Sequence, residues 1–320
     1  VSEFHVRIVK IDKVDKHPNA DTLSLTSVEG YPVVFRTGEF SEGDLAVYLP
    51  VDSVVPDTEQ WAWLNGRRRV RAKRLRGIFS MGLLAPLPVT AVGLPIGINL
   101  QSLMQIEKWE PPVKLGFNTE AEACPFTFPE YSDLEGFRKY GHAIYTGEEV
   151  VVTEKLHGTN SRYVFKDGRL WAASHRVVRK DLPGSLYWEV AKSFDLANKL
   201  SKYPDLVFFG EIYGKGVQDL IYGENHVAWR CFDILDLNTQ RYLNYTDFTA
   251  ITSDLALPTV PVLYLGGWKN ELAELRNGPS TLAGHIREGF VVKPIVERFN
   301  VEIGRVALKY VGEDYLLRKE

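Results

Sequence analysis

Two domains, a small β-barrel followed by an α+β domain, are what the sequence predicts, and three observations carry that prediction. The chain has 320 residues, and a typical domain takes roughly 100–200. Up to about residue 84 the sequence is a series of short alternating apolar runs cut by Gly, Pro, Asn and Asp. Many short strands at close spacing indicate a barrel or sandwich. Beyond residue 130, strand-like and helix-like periods mix, which is the pattern of an α+β arrangement.

Each element follows from its local pattern. Phe4, Val6 and Ile8 alternate with His5 and Arg7, the period of a half-buried strand. Further strands are expected over Leu23–Val28, residues 33–35 and Leu45–Leu49, and one or two more between residues 70 and 84, interrupted by Gly77 and Gly82. Residues 101–130 lose all periodicity, with Glu110-Pro111-Pro112, Pro125 and Pro129 breaking any element. The expected division is therefore 1–108 for the barrel, 109–130 for a linker and 131–320 for the second domain. Ser132-Asp133-Leu134-Glu135 has the form of a capping box, predicting a short helix there. A strand runs through Val150-Val151-Val152 to about Leu156, and another begins after Asn160. Asp167-Gly168 reads as a hairpin turn into Arg169–Ala173. Leu186, Val190, Phe194 and Ala197 fall at helical spacing, predicting one helix over 185–200. Residues 207–209, 229–234, 290–293 and 306–310 read as strands.

The composition, 45% hydrophobic, 25% charged and 12% aromatic, excludes a disordered chain. With 38 basic and 41 acidic residues the net charge is −3, so any nucleic-acid surface must be local. The first twenty residues hold no apolar block, and no run approaches the ~18 apolar residues of a membrane span. Cys124 and Cys231 are too few for a disulfide framework or a structural zinc site. The expectation is a cytoplasmic protein with no membrane association and no obligate protein partner.

The sharpest chemical segment is Glu154-Lys155-Leu156-His157-Gly158-Thr159-Asn160. A lysine where a strand gives way to a glycine turn projects an amine that, once deprotonated, can attack phosphorus or carbonyl carbon. Alone, such a segment reads as a surface lysine beside a tight turn. Its company is more telling. Phe209-Gly210-Glu211-Ile212-Tyr213-Gly214, Cys231-Phe232-Asp233, Glu288-Gly289-Phe290-Val291-Val292-Lys293 and Val306-Ala307-Leu308-Lys309 each put a carboxylate or lysine beside an apolar strand. Carboxylates and lysines gathered at sheet ends suit a nucleoside triphosphate with a divalent metal.

Five segments in this order resemble the covalent nucleotidyltransferases, specifically the RNA-ligase-2-like branch, in which His-Gly-Thr-Asn follows the lysine. The resemblance spans residues 154–309. It implies an ATP-grasp-like ligase domain with antiparallel sheets, ATP as cofactor with Mg²⁺ or Mn²⁺, and Lys155 as the nucleophile that becomes a lysyl–adenylate. It further implies that Glu154, Leu156, His157 and Asn160 line the nucleotide pocket, that Arg176 holds the nucleotide or a 5′-phosphate, and that Glu211 positions the ribose and serves the metal. Phe232 would stack on adenine, with Asp233 in support, although without the register of the five segments it reads as a plain core phenylalanine. Glu288 would be metal-associated, and Lys293 and Lys309 would contact phosphate. Many relatives carry Lys-x-Lys in the last motif, whereas Val311 stands at the second position here.

The first domain has its own signals. His17-Pro18-Asn19-Ala20-Asp21 is similar to a segment of OB-fold tRNA-binding modules. An OB-like nucleic-acid-binding domain ahead of a ligase domain resembles the Deinococcus-type RNA ligases. Seven cations fall within residues 67–76, among them Arg71, Lys73 and Arg76, and Trp61 and Trp63 stand just before them. Such a strip suits a phosphate backbone and the tryptophans suit base stacking, while the alternative is a charge-protected sheet edge. The resulting expectation is an ATP-dependent RNA ligase sealing 3′-hydroxyl/5′-phosphate breaks in RNA or RNA-containing duplexes. A DNA ligase, a capping enzyme or a non-catalytic RNA-binding protein are the alternatives.

Overall fold

The computed structural model describes residues 4–109 and 120–318. The chain divides into two compact units whose boundary falls within the stretch between those ranges. Glu110-Pro111-Pro112, the centre of the expected linker, lies outside the described residues.

In the first unit, strands Arg7–Lys10, Leu45–Leu49 and Leu83–Pro86 form one antiparallel sheet. Asp15–Lys16, Leu23–Val28 and Tyr31–Arg36 form a second. Leu45–Leu49 is the hinge of the packing. Val47 and Leu49 face one apolar cluster with Val6, Ile8, Trp61 and Ile106, while Ala46 and Tyr48 face another with Val33, Phe35 and Leu84. A strand buried on both faces reads as a continuous apolar run, which is why Leu-Ala-Val-Tyr-Leu shows no alternation. The 70–84 region holds three short strands, Lys73–Leu75, Ile78–Ser80 and Leu83–Pro86, because Gly77 and Gly82 both turn the chain with positive φ. Residues 101–109 belong to this unit: Met104 and Ile106 are buried, and Glu107–Lys108 pairs with Ser53–Val54.

The second unit is built on two five-stranded sheets. The first has the order Glu135–Gly136, Leu308–Val311, Gly289–Pro294, Glu149–Lys155, Val262–Gly267 and is antiparallel except at its Glu135–Gly136 edge. The second has the order Arg169–Ala173, Thr159–Lys166, Leu206–Gly214, Val227–Asp236, Arg241–Tyr242 and is antiparallel throughout. Period-2 alternation divides its faces: Tyr163, Phe208 and Ile212 pack with Leu186, Trp188 and Phe248 from the helices, and Val164, Val207 and Phe209 pack with Trp171 and Phe128.

Three expectations need correction. The helix over 185–200 is two helices, Leu186–Ser193 and Leu196–Leu200, because Asp195 takes a left-handed backbone, φ 52°. Leu186 and Val190 are buried and Phe194 half-buried as the spacing predicts, but past the break Leu196 and Leu200 take the buried positions and Ala197 is exposed, so the apolar register shifts there. The capping box does not form: Glu135–Gly136 is a strand paired to Leu308–Val311, and the short helix Phe137–Tyr140 starts from Gly136 without a side-chain cap. Residues 120–130, expected as linker, pack against the second sheet. Phe128 is buried, Phe126 meets Trp171 edge-on at 5.4 Å, and the buried Arg162 guanidinium donates to the Phe128 carbonyl at 2.8 Å. Prolines stop regular structure there without stopping burial.

Candidate active site

The face of the first sheet opposite its apolar core carries the cations. Val150, Val152, Phe290, Val292 and Leu308 fill that core. Alternation therefore sends Thr153, Lys155, Val291, Lys293 and Lys309 to the other side. Register makes them neighbours: Val151 lies opposite Lys293, Thr153 opposite Val291, and Val291 opposite Lys309. Three lysines from three segments thus share one face.

The second sheet supplies the carboxylate and the ring. Asn160 lies directly opposite Glu211 on adjacent strands. Next to them the register breaks. Phe209 pairs with Asp233 and Gly210 with Cys231, leaving Phe232 as the extra residue of a β-bulge. A bulge re-aims a side chain, and the faces change hands there. Trp229 and Cys231 pack on the helix side, as Ile234 does, whereas Phe232 turns to the opposite side. Phe232 is half-buried and meets Tyr131 edge-on at 4.9 Å.

Most of these groups, Lys309 excepted, line a cleft of about 140 Å³. Its walls include Glu154, Lys155, Leu156, Asn160, Glu211, Phe232 and Lys293, with Tyr131, Thr153, Val260 and Val291. Glu288 reaches it through Lys155: the Nζ donates to Glu288 Oε1 at 2.6 Å. Burial works to lower the Lys155 pKa, but the Glu288 and Glu211 carboxylates outweigh it and hold the amine above its ordinary value. Burial pushes Glu211 up to about 8, against the attraction of Lys155. Lys309 lies below its ordinary value, through burial and then repulsion from Lys155. It makes no hydrogen bond or ion pair among the described residues. Val311 sits in the same cross-strand row as Lys155, two strands away with Gly289 between. A second lysine there would have flanked the amine at about 10 Å.

Lys293 is tied down. Its Nζ donates to the fully buried Asp233 at 2.7 Å, and Asp233 also accepts from Arg305 at 2.6 Å and Tyr131 at 2.9 Å. Burial opposes ionisation of Asp233, yet Arg305 and Lys293 keep it below the usual carboxylate range. Glu154 is equally constrained: one oxygen accepts from the Thr281 backbone and hydroxyl at 2.8 and 2.7 Å, while its Oε1 is buried without a partner. Glu288 Oε2 and Asn160 Oδ1 are buried and unpartnered as well.

His157 lies in a network instead of on the cleft wall. Its ring bonds Asp219 at 2.7 Å and the Tyr315 hydroxyl at 2.8 Å, and its backbone N–H donates to Tyr222 at 2.7 Å. Arg318 closes the set on Asp219 at 3.2 Å. Gly158 is required beside it, since a Cβ there would stand 2.1 Å from the Ile212 carbonyl oxygen. Arg176 is not brought to the cleft; it is exposed in the bend after Arg169–Ala173.

Sequence reasoning missed several of these groups. Thr153 and Val291 were within reach of period-2 arithmetic from Lys155 and Lys293. Tyr131, Thr281, Arg305, Asp219 and Tyr315 come from distant loops and ends, where no local pattern announces them.

In the first unit the basic strip resolves into two populations. Arg68 Nε donates to the Val55 carbonyl at 2.8 Å, and Arg69 pairs with Asp52 at 2.8 Å under the Trp109 ring. Arg71, Lys73 and Arg76 are exposed, with Val70 buried just before them and Ala72 buried between the first two, and form no ion pair among the described residues. Trp61 is core, held inside by the 3-10 helix Glu59–Leu64, and only Trp63 of the pair is exposed.

Among known proteins, the RNA ligase family model matches residues 148–311, more than half of the 320-residue chain. An OB-fold domain model matches residues 5–87. No curated protein sequence matches the chain. Solved structures of a Naegleria gruberi RNA ligase are similar. The pyrophosphate complex aligns with TM-score 0.85 at 23% identity, covering 99% of this chain and 98% of that one. A lysine-to-alanine variant with ATP and manganese aligns at 0.84 and 23%, covering 97% and 98%. A lysine-to-methionine variant with AMP and manganese aligns at 0.84 and 23%, covering 98% of each chain. At that identity the likeness is one of fold. No described helix is long and apolar enough to cross a membrane.

Proposed function

Because the chain belongs to the RNA ligase family, we propose that it is an ATP-dependent ligase of the RNA-ligase-2-like branch, with the Deinococcus-type domain order. It seals 3′-hydroxyl/5′-phosphate nicks in RNA-containing duplexes, in RNA repair. The observation that carries this reading is Lys155, an amine at a strand end whose Nζ is held at 2.6 Å by Glu288, on a face shared with Lys293 and Lys309. The Naegleria structures with ATP and with AMP support a nucleotide of that kind in the cleft.

In the first step Lys155 Nζ gives up a proton and attacks the α-phosphorus. The N–P bond forms as the bond to pyrophosphate breaks. A 5′-phosphate oxygen of the broken strand then displaces the lysine, forming a P–O–P linkage to AMP. The 3′-hydroxyl attacks the 5′-phosphorus, and AMP leaves. Phe232 stacks on the adenine, and Glu154, Leu156 and Asn160 complete the nucleoside pocket. Glu211 holds the ribose, and Lys293 and Lys309 carry phosphate charge. Arg176 is assigned to the 5′-phosphate of RNA, since it is exposed and outside the cleft.

A divalent cation fits this donor set. Glu288 keeps one buried oxygen without a partner, and Glu211 lies within its electrostatic reach. No group of three or more His, Cys, Asp or Glu able to hold a metal occurs among the described residues. Mg²⁺ and Mn²⁺ are commonly held by one or two carboxylates together with substrate phosphates. When bound, the ion neutralises developing charge on the phosphates. Glu288 and Glu211 would hold it, and Arg71, Lys73 and Arg76 would contact the nucleic-acid backbone.

The test is sealing of nicked duplexes that differ in the 3′-hydroxyl strand. Sealing of RNA termini with little sealing of an all-DNA nick is expected. Equal sealing of both would make the protein a DNA ligase, and binding without sealing would make it a non-catalytic RNA-binding protein.

A further inference from the structure

We propose that His17 and Asn19 brace the basic hairpin of the barrel, so that the His-Pro-Asn segment serves RNA binding by aiming Arg76 at a phosphate and without touching RNA itself. The inference rests on the reading that the barrel grips RNA.

The register Lys73–Ser80, Arg74–Phe79, Leu75–Ile78 leaves Arg76-Gly77 as a two-residue turn. Both residues have positive φ, 46° and 90°, the geometry of a primed hairpin turn. Gly77 adopts it freely, whereas an arginine there is held at some cost. A hairpin of three-residue strands is marginal alone, so something must hold it. The return strand is anchored to the barrel, where the Val34 N–H donates to Ser80 Oγ at 2.9 Å.

The turn end is held by the segment that sequence reasoning singled out. His17 is buried, 1% exposed, and its Nε2 lies 3.1 Å from the Leu75 carbonyl oxygen. Its Nδ1 accepts the Asn19 backbone N–H at 3.1 Å. That acceptor role assigns the ring proton to Nε2, which therefore donates to Leu75. Asn19 Nδ2 donates to the Arg76 carbonyl at 3.0 Å. Both tip carbonyls are thus taken from one side by two residues that His17 locks together. Arg71, Lys73 and Arg76 remain exposed and unpaired among the described residues. Cations held at fixed spacing meet a polyanionic strand with less ordering to do on binding, which favours a phosphate backbone as the partner.

Asn19 is exposed, so Asn19→Ala tests the brace without opening the core. The probe is a nicked RNA duplex, titrated without ATP at several salt concentrations. Asn19→Ala is expected to bind about 3–10-fold more weakly at low salt, with the log–log salt slope reduced by up to about one, while adenylation by ATP is unchanged. If Asn19 acts through Arg76, Asn19→Ala/Arg76→Ala binds like Arg76→Ala alone. Additive losses would overturn the brace, as would wild-type binding by Asn19→Ala when the combined Arg71→Ala, Lys73→Ala, Arg76→Ala variant binds weakly. Wild-type binding by that triple variant would overturn the RNA-gripping surface and the brace with it.

Discussion

Asp233 is where the fold and the proposed chemistry depend on one side chain. It is fully buried and is the shared acceptor for Lys293 at 2.7 Å, Arg305 at 2.6 Å and Tyr131 at 2.9 Å. Asp233→Asn keeps the volume and removes the charge. Arg305 keeps a second partner in Glu297 at 2.8 Å, but the 5%-exposed Lys293 loses its only ion-pair partner among the described residues. Breaking a buried pair by removing one member costs about 3–5 kcal/mol. For a unit of this size that corresponds to a fall in Tm of roughly 6–20 °C. The assay is thermal unfolding of the full chain followed by tryptophan fluorescence, with the transition of the second unit identified by its shift on adding ATP and metal. A cycle with Lys293→Met completes it: the double variant should be less destabilised than the sum of the singles, because the stranded charge has gone. A change below about 1 °C in Asp233→Asn would refute the buried-pair reasoning. Additive losses would show that Lys293 does not depend on Asp233.

Two other expectations follow from the same geometry. Tyr315→Phe deletes the hydroxyl that meets His157 at 2.8 Å; it should cost about 1 kcal/mol, or ~2–4 °C in Tm, and an unchanged melt would mean that the chain end does not hold the turn. Glu211, raised by burial from 4.5 to about 8, keeps a proton in the folded state that the unfolded chain releases. Stability should therefore fall as pH rises from 4.5 to about 8. In nucleotide-free, chelator-treated protein Glu211→Gln should gain stability over the unsubstituted chain across that window, and a pH-independent difference would contradict the shift.

The sequence made the cation face legible because alternation is arithmetic. Once Lys155 and Lys293 sit on apolar strands, their neighbours two residues away share the face, and the strand pairing brings Lys309 alongside. The Asp167-Gly168 turn was legible for a similar reason, since both residues take the positive φ that a primed turn needs, 51° and 78°. Phe232 was a different matter. Its aim comes from a bulge, and the same residues without that extra position would put the ring in a core. The break at Asp195 was hidden because Ala197 continues the helical spacing of Leu186, Val190 and Phe194 in the sequence, whereas in the fold Leu196 and Leu200 are buried and Ala197 is exposed. Trp61 and Trp63 look alike in sequence, and the 3-10 turn of Glu59–Leu64 buries one and exposes the other. The His157 network was not legible because its partners come from residues 219, 222, 315 and 318.

The central claim is that Lys155 carries the nucleotide. Incubation with labelled ATP and Mg²⁺ or Mn²⁺, followed by peptide mapping of the acid-labile, base-stable adduct, tests it most directly. AMP attached to the peptide containing Lys155, and no adduct on a folded Lys155→Ala variant, is the predicted result. An adduct on another residue, or one that persists in folded Lys155→Ala, would contradict the account.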